Sequence, residues 1–144
     1  MAIQKKKDYD FVELVASGAR TGASQGDSKR LAPKMMGMAA TLDVTAALTD
    51  ATDILDVRVQ TKIDGTNWLD MMRFPGVLGN GGAKRYVMKT VSAGTQAAFE
   101  TGTGIASATV RNLMGDEYRA TWSAFDDGGA NQSFTFSVSV CPMP

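Results

Sequence analysis

The chain has 144 residues, the size of a single domain, and 44% of them are hydrophobic, enough to fill one core. Fifteen Lys and Arg balance fifteen Asp and Glu, so the overall basic charge expected of a dedicated nucleic-acid binder is missing. The absence of histidine and the presence of one cysteine, Cys141, exclude His-containing triads, His general bases, His-ligated metals, a Cys-rich zinc site and an internal disulfide.

Residues 1–10 are polar and charged and read as an N-terminal arm. Their cluster Lys5-Lys6-Lys7 has two readings, a solvated terminus or an arm that meets an acidic partner surface. Phe11 to Ala16 forms a short strand. Residues 17–30 are small, polar and Gly-rich, hence a loop or an extended segment held by a neighbour. A second strand covers Met35 to Thr45, where Leu42 and Val44 alternate with Thr41, Asp43 and Thr45. Ala46 to Asp53 contains alanines, yet its Thr and Asp content fits a connecting turn better than a helix.

Ile54 to Ile63 is the clearest central strand, because Leu55, Val57 and Val59 alternate with Asp56, Arg58 and Gln60. Asp64-Gly65 follows and marks a hairpin, after which Trp68 pairs back across the preceding strand or caps the core edge. Gly76 to Gly82 is rich in glycine, but no GK[ST] and no helix follows, so it reads as a loop and not a phosphate cradle. Lys84 to Val91 is a strand with Tyr86 and Met88 on one face and Arg85, Val87 and Lys89 on the other. Ala97 to Thr101 and Ala106 to Leu113 are weaker strands. Glu117 to Ser123 sets Tyr118, Ala120 and Trp122 on one face. Asp126-Asp127-Gly128-Gly129 reads as a second hairpin turn into the last strand, where Phe134, Phe136, Val138 and Val140 alternate with serines and a threonine.

Eight or nine short strands separated by turns predict an all-β protein. The architecture expected is a single antiparallel β-sandwich, jelly-roll or Ig-like, over residues 11–144, with residues 1–10 as an extended arm. No apolar run approaches the roughly 18 residues of a membrane span, and no apolar signal region opens the chain. The expected setting is a reducing cytoplasm until assembly. Nothing predicts a cofactor. Methionine is abundant, at nine residues. Most of it reads as core filler. Simple alternation lets only one of Met71 and Met72 face inward, so Met72 with neighbouring Phe74 is a candidate contact surface.

The segments "TLDVTAALTDATDILDVRVQTKIDGTNWLDM" and "YRATWSAFDDGGANQSFTFSVSV", together with the opening "VELVASGARTGASQGD", resemble a group of small structural proteins of tailed bacteriophages. In that group an L-x-V-T-A strand leads to L-D-V-x-V-Q-T, a D-G-T-x-W turn and a closing S-F-T-F-S-V strand. Leu42–Ala46, Leu55–Thr61, Asp64–Trp68 and Tyr118–Val140 fill those places here. The resemblance implies a capsid decoration, or cement, protein with a sandwich domain, located on the virion's capsid surface after synthesis in the host cytoplasm. Its implied partner is the major capsid protein; a homotrimer at a threefold position is a further expectation with no direct sequence mark, and neither nucleic acid nor membrane is expected as a partner. Some members of the group belong instead to the tail or neck.

In that reading Lys5, Lys6, Lys7 and Arg20 meet acidic capsid patches. Phe11 opens an edge strand able to add to a neighbour, and Met72 and Phe74 form an apolar contact. A second reading is a carbohydrate-binding module in which Trp68, Trp122 and Tyr86 stack on sugars, against the simpler assignment of Trp122 and Tyr118 to the core. An enzyme is not expected. Asp126-Asp127, Asp64 and Asp70 sit at or beside turns, and nothing supplies a tuned acid–base pair.

Overall fold

A computed structural model describes residues 11–31, 35–125 and 133–143. The lysines at 5–7 and the Asp-Asp-Gly-Gly segment at 126–129 lie outside the described residues. The described residues form eleven strands: β1 (Val12–Arg20), β2 (Ala23–Gln25), β3 (Lys29–Arg30), β4 (Gly37–Ala47), β5 (Ile54–Lys62), β6 (Trp68–Arg73), β7 (Val77–Leu78), β8 (Lys84–Val91), β9 (Thr109–Val110), β10 (Glu117–Phe125) and β11 (Phe134–Met143). No helix occurs among the described residues.

The strands form two antiparallel sheets. The first, sheet A, has the order β1-β11-β4-β8. The second, sheet B, has the order β2-β10-β5-β6-β9, with β3 also on β10 and β7 on β5. Both β2 and β3 pair with β10 and count as one strand interrupted around Gly26, whose N–H still donates to the Ala120 carbonyl (2.9 Å). With β7 and β9 as short additions, eight strands remain, and their pairing is nested. β1 lies on β11, β2/β3 on β10, β4 on β8, and β5 on β6. A long hairpin rolled up on itself has this connectivity, which is that of a jelly roll and not of an Ig fold.

Alternation explains which side chains fill the space between the sheets. Met38, Ala40, Leu42 and Val44 of β4 and Phe134, Phe136, Val138 and Val140 of β11 meet Leu55, Val57 and Val59 of β5 and Tyr118 and Ala120 of β10 in one buried cluster. Each valine, leucine, methionine or phenylalanine among them contributes about 1.5–3 kcal/mol on burial. The Tyr118 hydroxyl is satisfied in this apolar setting by donating to the Gly115 carbonyl. Burial raises its pKa to about 12. Gly115 itself permits a close approach, since a Cβ there would overlap the Lys62 carbonyl oxygen.

Several expectations are corrected. The first strand runs on to Arg20, and its Leu14 and Val15 are both buried because a bulge lets two residues of β1 face one step of β11. Ala97–Thr101 forms no strand, and only Thr109–Val110 is extended within 106–113. β10 and β11 are consecutive but lie in different sheets, so the expected second hairpin is replaced by a crossing from sheet B to sheet A. Met71 and Met72 are both fully buried, with Val59 opposite Met72 and Gln60 opposite Asp70, so Met71 is an extra residue in β6. The bulge breaks the alternation that would have exposed one of them.

Candidate functional site

The candidate contacts among the described residues divide into three groups. Phe11 is 65% exposed and immediately precedes β1, whose one side is paired to β11 while the other is a sheet edge. Met72 and Phe74 have no exposed surface and belong to the core, which corrects their assignment as a contact patch. Arg20 is spent internally. Its guanidinium donates to the carbonyls of Gly18 and Phe136 (2.9 Å each) and of Ala16, and it lies 5.2 Å from the Trp122 ring centroid and 5.1 Å from that of Phe136. It latches β1 to β11 and is not a free cation for an acidic patch.

Of the three aromatics considered for sugar stacking, Trp122 packs against the core, edge-on to Phe136 at 5.8 Å. Tyr86 also packs against the core and lines a groove of about 400 Å³ with Pro75, Met88 and Val110, where the edges of the two sheets meet. Trp68 alone stands on the outer face of sheet B, half-buried and opposite Lys62.

The outward residues of β5, β6 and β10 are joined there into one polar chain. Asp56 accepts from Arg73 Nε (3.0 Å) and Arg58 Nη2 (2.9 Å), and Arg58 Nη1 donates to Asp70 Oδ2 (2.8 Å). Asp70 Oδ1 accepts from Gln60 Nε2 (2.9 Å), and Gln60 Oε1 accepts from Arg119 Nε (2.8 Å). The Arg119 guanidinium then lies 4.3 Å from the Trp68 ring centroid, with Lys62 Nζ at 4.7 Å, both within cation–π range. Hydrogen bonding to Asp56 raises the pKa of Arg58, while burial lowers that of Arg119. Among the described residues Arg119 forms no ion pair, whereas Lys62 pairs with Glu117 at 3.5 Å.

The segment 92–108 crosses this face and is held by two arginines. Arg111, 5% exposed, donates to the carbonyls of Asp70 (3.0 Å) and Thr103 (2.7 Å) and stacks on Phe99 at 3.7 Å. Arg73 Nη1 donates to the Ile105 carbonyl (3.0 Å). Between this segment and the sheet lies a depression of about 310 Å³ lined by Arg58, Gln60, Trp68, Asp70 and the stretch Gly102–Gly104. Alternation along β5 foretold that Arg58 and Gln60 point outward. Nothing local in the sequence foretold that a segment beginning at residue 92 would fold over them, because arginines at 73 and 111 hold it there.

The outer face of sheet A differs at its centre. Its central strands β11 and β4 present Thr135, Ser137, Ser139 and Cys141 beside Ala39, Thr41 and a single charge, Asp43. Asp43 is paired with Arg85 of β8 at 3.1 Å. On the flanking strands the outward positions are mixed: Val87, 64% exposed, and Val91, 37% exposed, alternate with Arg85 and exposed Lys89 on β8, and exposed Glu13 of β1 stands opposite Ser139. The central strands of sheet B carry Asp56, Arg58, Lys62, Glu117 and Arg119 in the equivalent outward positions. No family model, no curated protein and no solved structure matches the chain.

Proposed function

We propose that the protein is a non-enzymatic virion structural protein that binds the outer surface of a phage capsid and stabilises the shell by bridging neighbouring capsid subunits. The segments that resemble phage decoration proteins suggest the setting. The observation that carries the reading is the contrast between the two outer faces. The small, mostly uncharged residues at the centre of the sheet A face can be covered with little desolvation cost, with Glu13, Arg85 and Lys89 on the flanking strands, and protein interfaces likewise have centres depleted of charge within a polar rim. The face of sheet B carries several charges, most of them paired with one another, and suits contact with water. A jelly roll seated on the shell by sheet A therefore presents sheet B outward.

A protein that binds the assembled lattice better than free subunits stabilises the lattice by mass action, and contact with more than one subunit multiplies the effect. Co-sedimentation of the purified protein with empty expanded heads tests this. A fixed number of copies per capsid subunit, with heads more resistant to heat, is the expected result. A few copies per virion and none on tailless heads assigns the protein to the tail or neck instead, and no binding to either removes the structural reading.

A further inference from the structure

We propose that the depression beside Trp68 is a binding site for a neutral saccharide and receives one pyranose ring of a glycan. It lies on the outer face of sheet B, on residues the capsid reading leaves facing water, so each can fail without the other.

A pyranose has an apolar face of C–H groups and a belt of hydroxyls. A site for it needs one aromatic face and, around it, planar side chains that donate and accept in pairs. Trp68 provides the aromatic surface, and the Arg58 guanidinium, Gln60 amide and Asp70 carboxylate line the same depression. Gly104 adds access, because a Cβ at that position would stand only 3.1 Å from Arg58 Nη1. The depression is thus open to the guanidinium where a side chain would crowd it.

The groups are already held in place. Asp70 is 8% exposed and fixed between Arg58 and Gln60, while Arg111 ties the Asp70 and Thr103 carbonyls together. Binding to such a site orders few side chains. The lining favours a neutral ligand, since its two charged side chains, Arg58 and Asp70, are paired with each other at 2.8 Å. Arg119 and Lys62 lie over the Trp68 ring and do not line the depression. An apolar ligand would have to desolvate the Arg58–Asp70 pair without replacing its water contacts. A volume of about 310 Å³ is at the small end for ligand sites, enough for a ring and not for an extended chain.

The test is saturation-transfer NMR on the full chain with the methyl glycosides of glucose, galactose, mannose and N-acetylglucosamine, run beside glucuronic and sialic acids. At least one neutral glycoside should bind saturably with a dissociation constant of about 1 mM, as suits a small polar ligand in a half-open site. Trp68→Ala should weaken it about tenfold or more. Thr103 is exposed, so Thr103→Trp should block the depression with an unchanged melting temperature, and it decides the matter if the Trp68 variant fails to fold. The proposal is overturned if no neutral glycoside binds, if only the acidic sugars bind, or if binding survives the Thr103 substitution.

Discussion

Arg20 and Asp64 illustrate how far a single side chain's role depends on what surrounds it. As a cation in a polar stretch Arg20 reads as a surface contact, yet the carbonyls of three residues and two aromatic rings take it up. Asp64 is the reverse case, because its role is local and was legible in the dipeptide Asp64-Gly65. Its carboxylate accepts from the Thr66 and Asn67 backbone N–H groups (2.9 and 2.7 Å) and from the Asn67 amide (2.7 Å), while Gly65 takes a positive φ of 78°. The donors, led by the Asn67 N–H, lower its pKa from 3.8 to about 2. A carboxylate with a depressed folded pKa stabilises the fold above its unfolded pKa and loses that contribution as pH falls through the folded value. Asp64→Ala should therefore lower the melting temperature most above pH 3.8, and the gap to wild type should shrink as pH falls towards about 2. A pH series of thermal melts on both proteins checks this, and a gap independent of pH would refute it.

At the scale of elements, strands were readable wherever the period of two ran unbroken, as in β5 and β11. They were misread wherever a bulge inserted a residue. In β6 the run Leu69-Asp70-Met71-Met72 is buried throughout, which no alternating pattern allows. The extra residue at Met71 brings both methionines into the core and leaves Asp70 at the site with Arg58 and Gln60. Met71→Ala and Met72→Ala should each cost about 2–5 kcal/mol, the usual loss for truncating a buried methionine. Urea unfolding distinguishes this from simple alternation, under which one of the pair would be nearly neutral. The short strands β7 and β9 carry too few residues to show a period, and only their pairing with β5 and β6 defines them.

For the whole molecule, the nested pairing places eight strands in two sheets whose central strands differ in the charge they present outward. That difference makes a directional prediction about docking. Val87→Glu puts a carboxylate on the sheet A face at a residue already 64% exposed, so stability should change by no more than about 0.5 kcal/mol. Binding to expanded heads should nevertheless fall at least tenfold, equivalent to about 1.4 kcal/mol. Ile63→Glu, at a residue 53% exposed in the turn between β5 and β6, should leave binding as it was. Equal loss in the two variants, or none in the first, would count against docking through sheet A.

Alternation and turn chemistry were enough to establish an all-β chain, the β5–β6 hairpin and most of the core, because each is a property of neighbouring residues. Strand partners were not legible in this way. Whether β11 lies beside β10 or across the sandwich from it depends on contacts between segments far apart in the chain, and a polar turn is compatible with either. The same holds for the Trp68 site. Its outward side chains on β5 could be read from the period, but their assembly with β6, β10 and the segment 92–108 is a tertiary event. It is set by which sheet each strand joins and by arginines whose acceptors are backbone carbonyls, and a carbonyl leaves no mark in the sequence because every residue carries one.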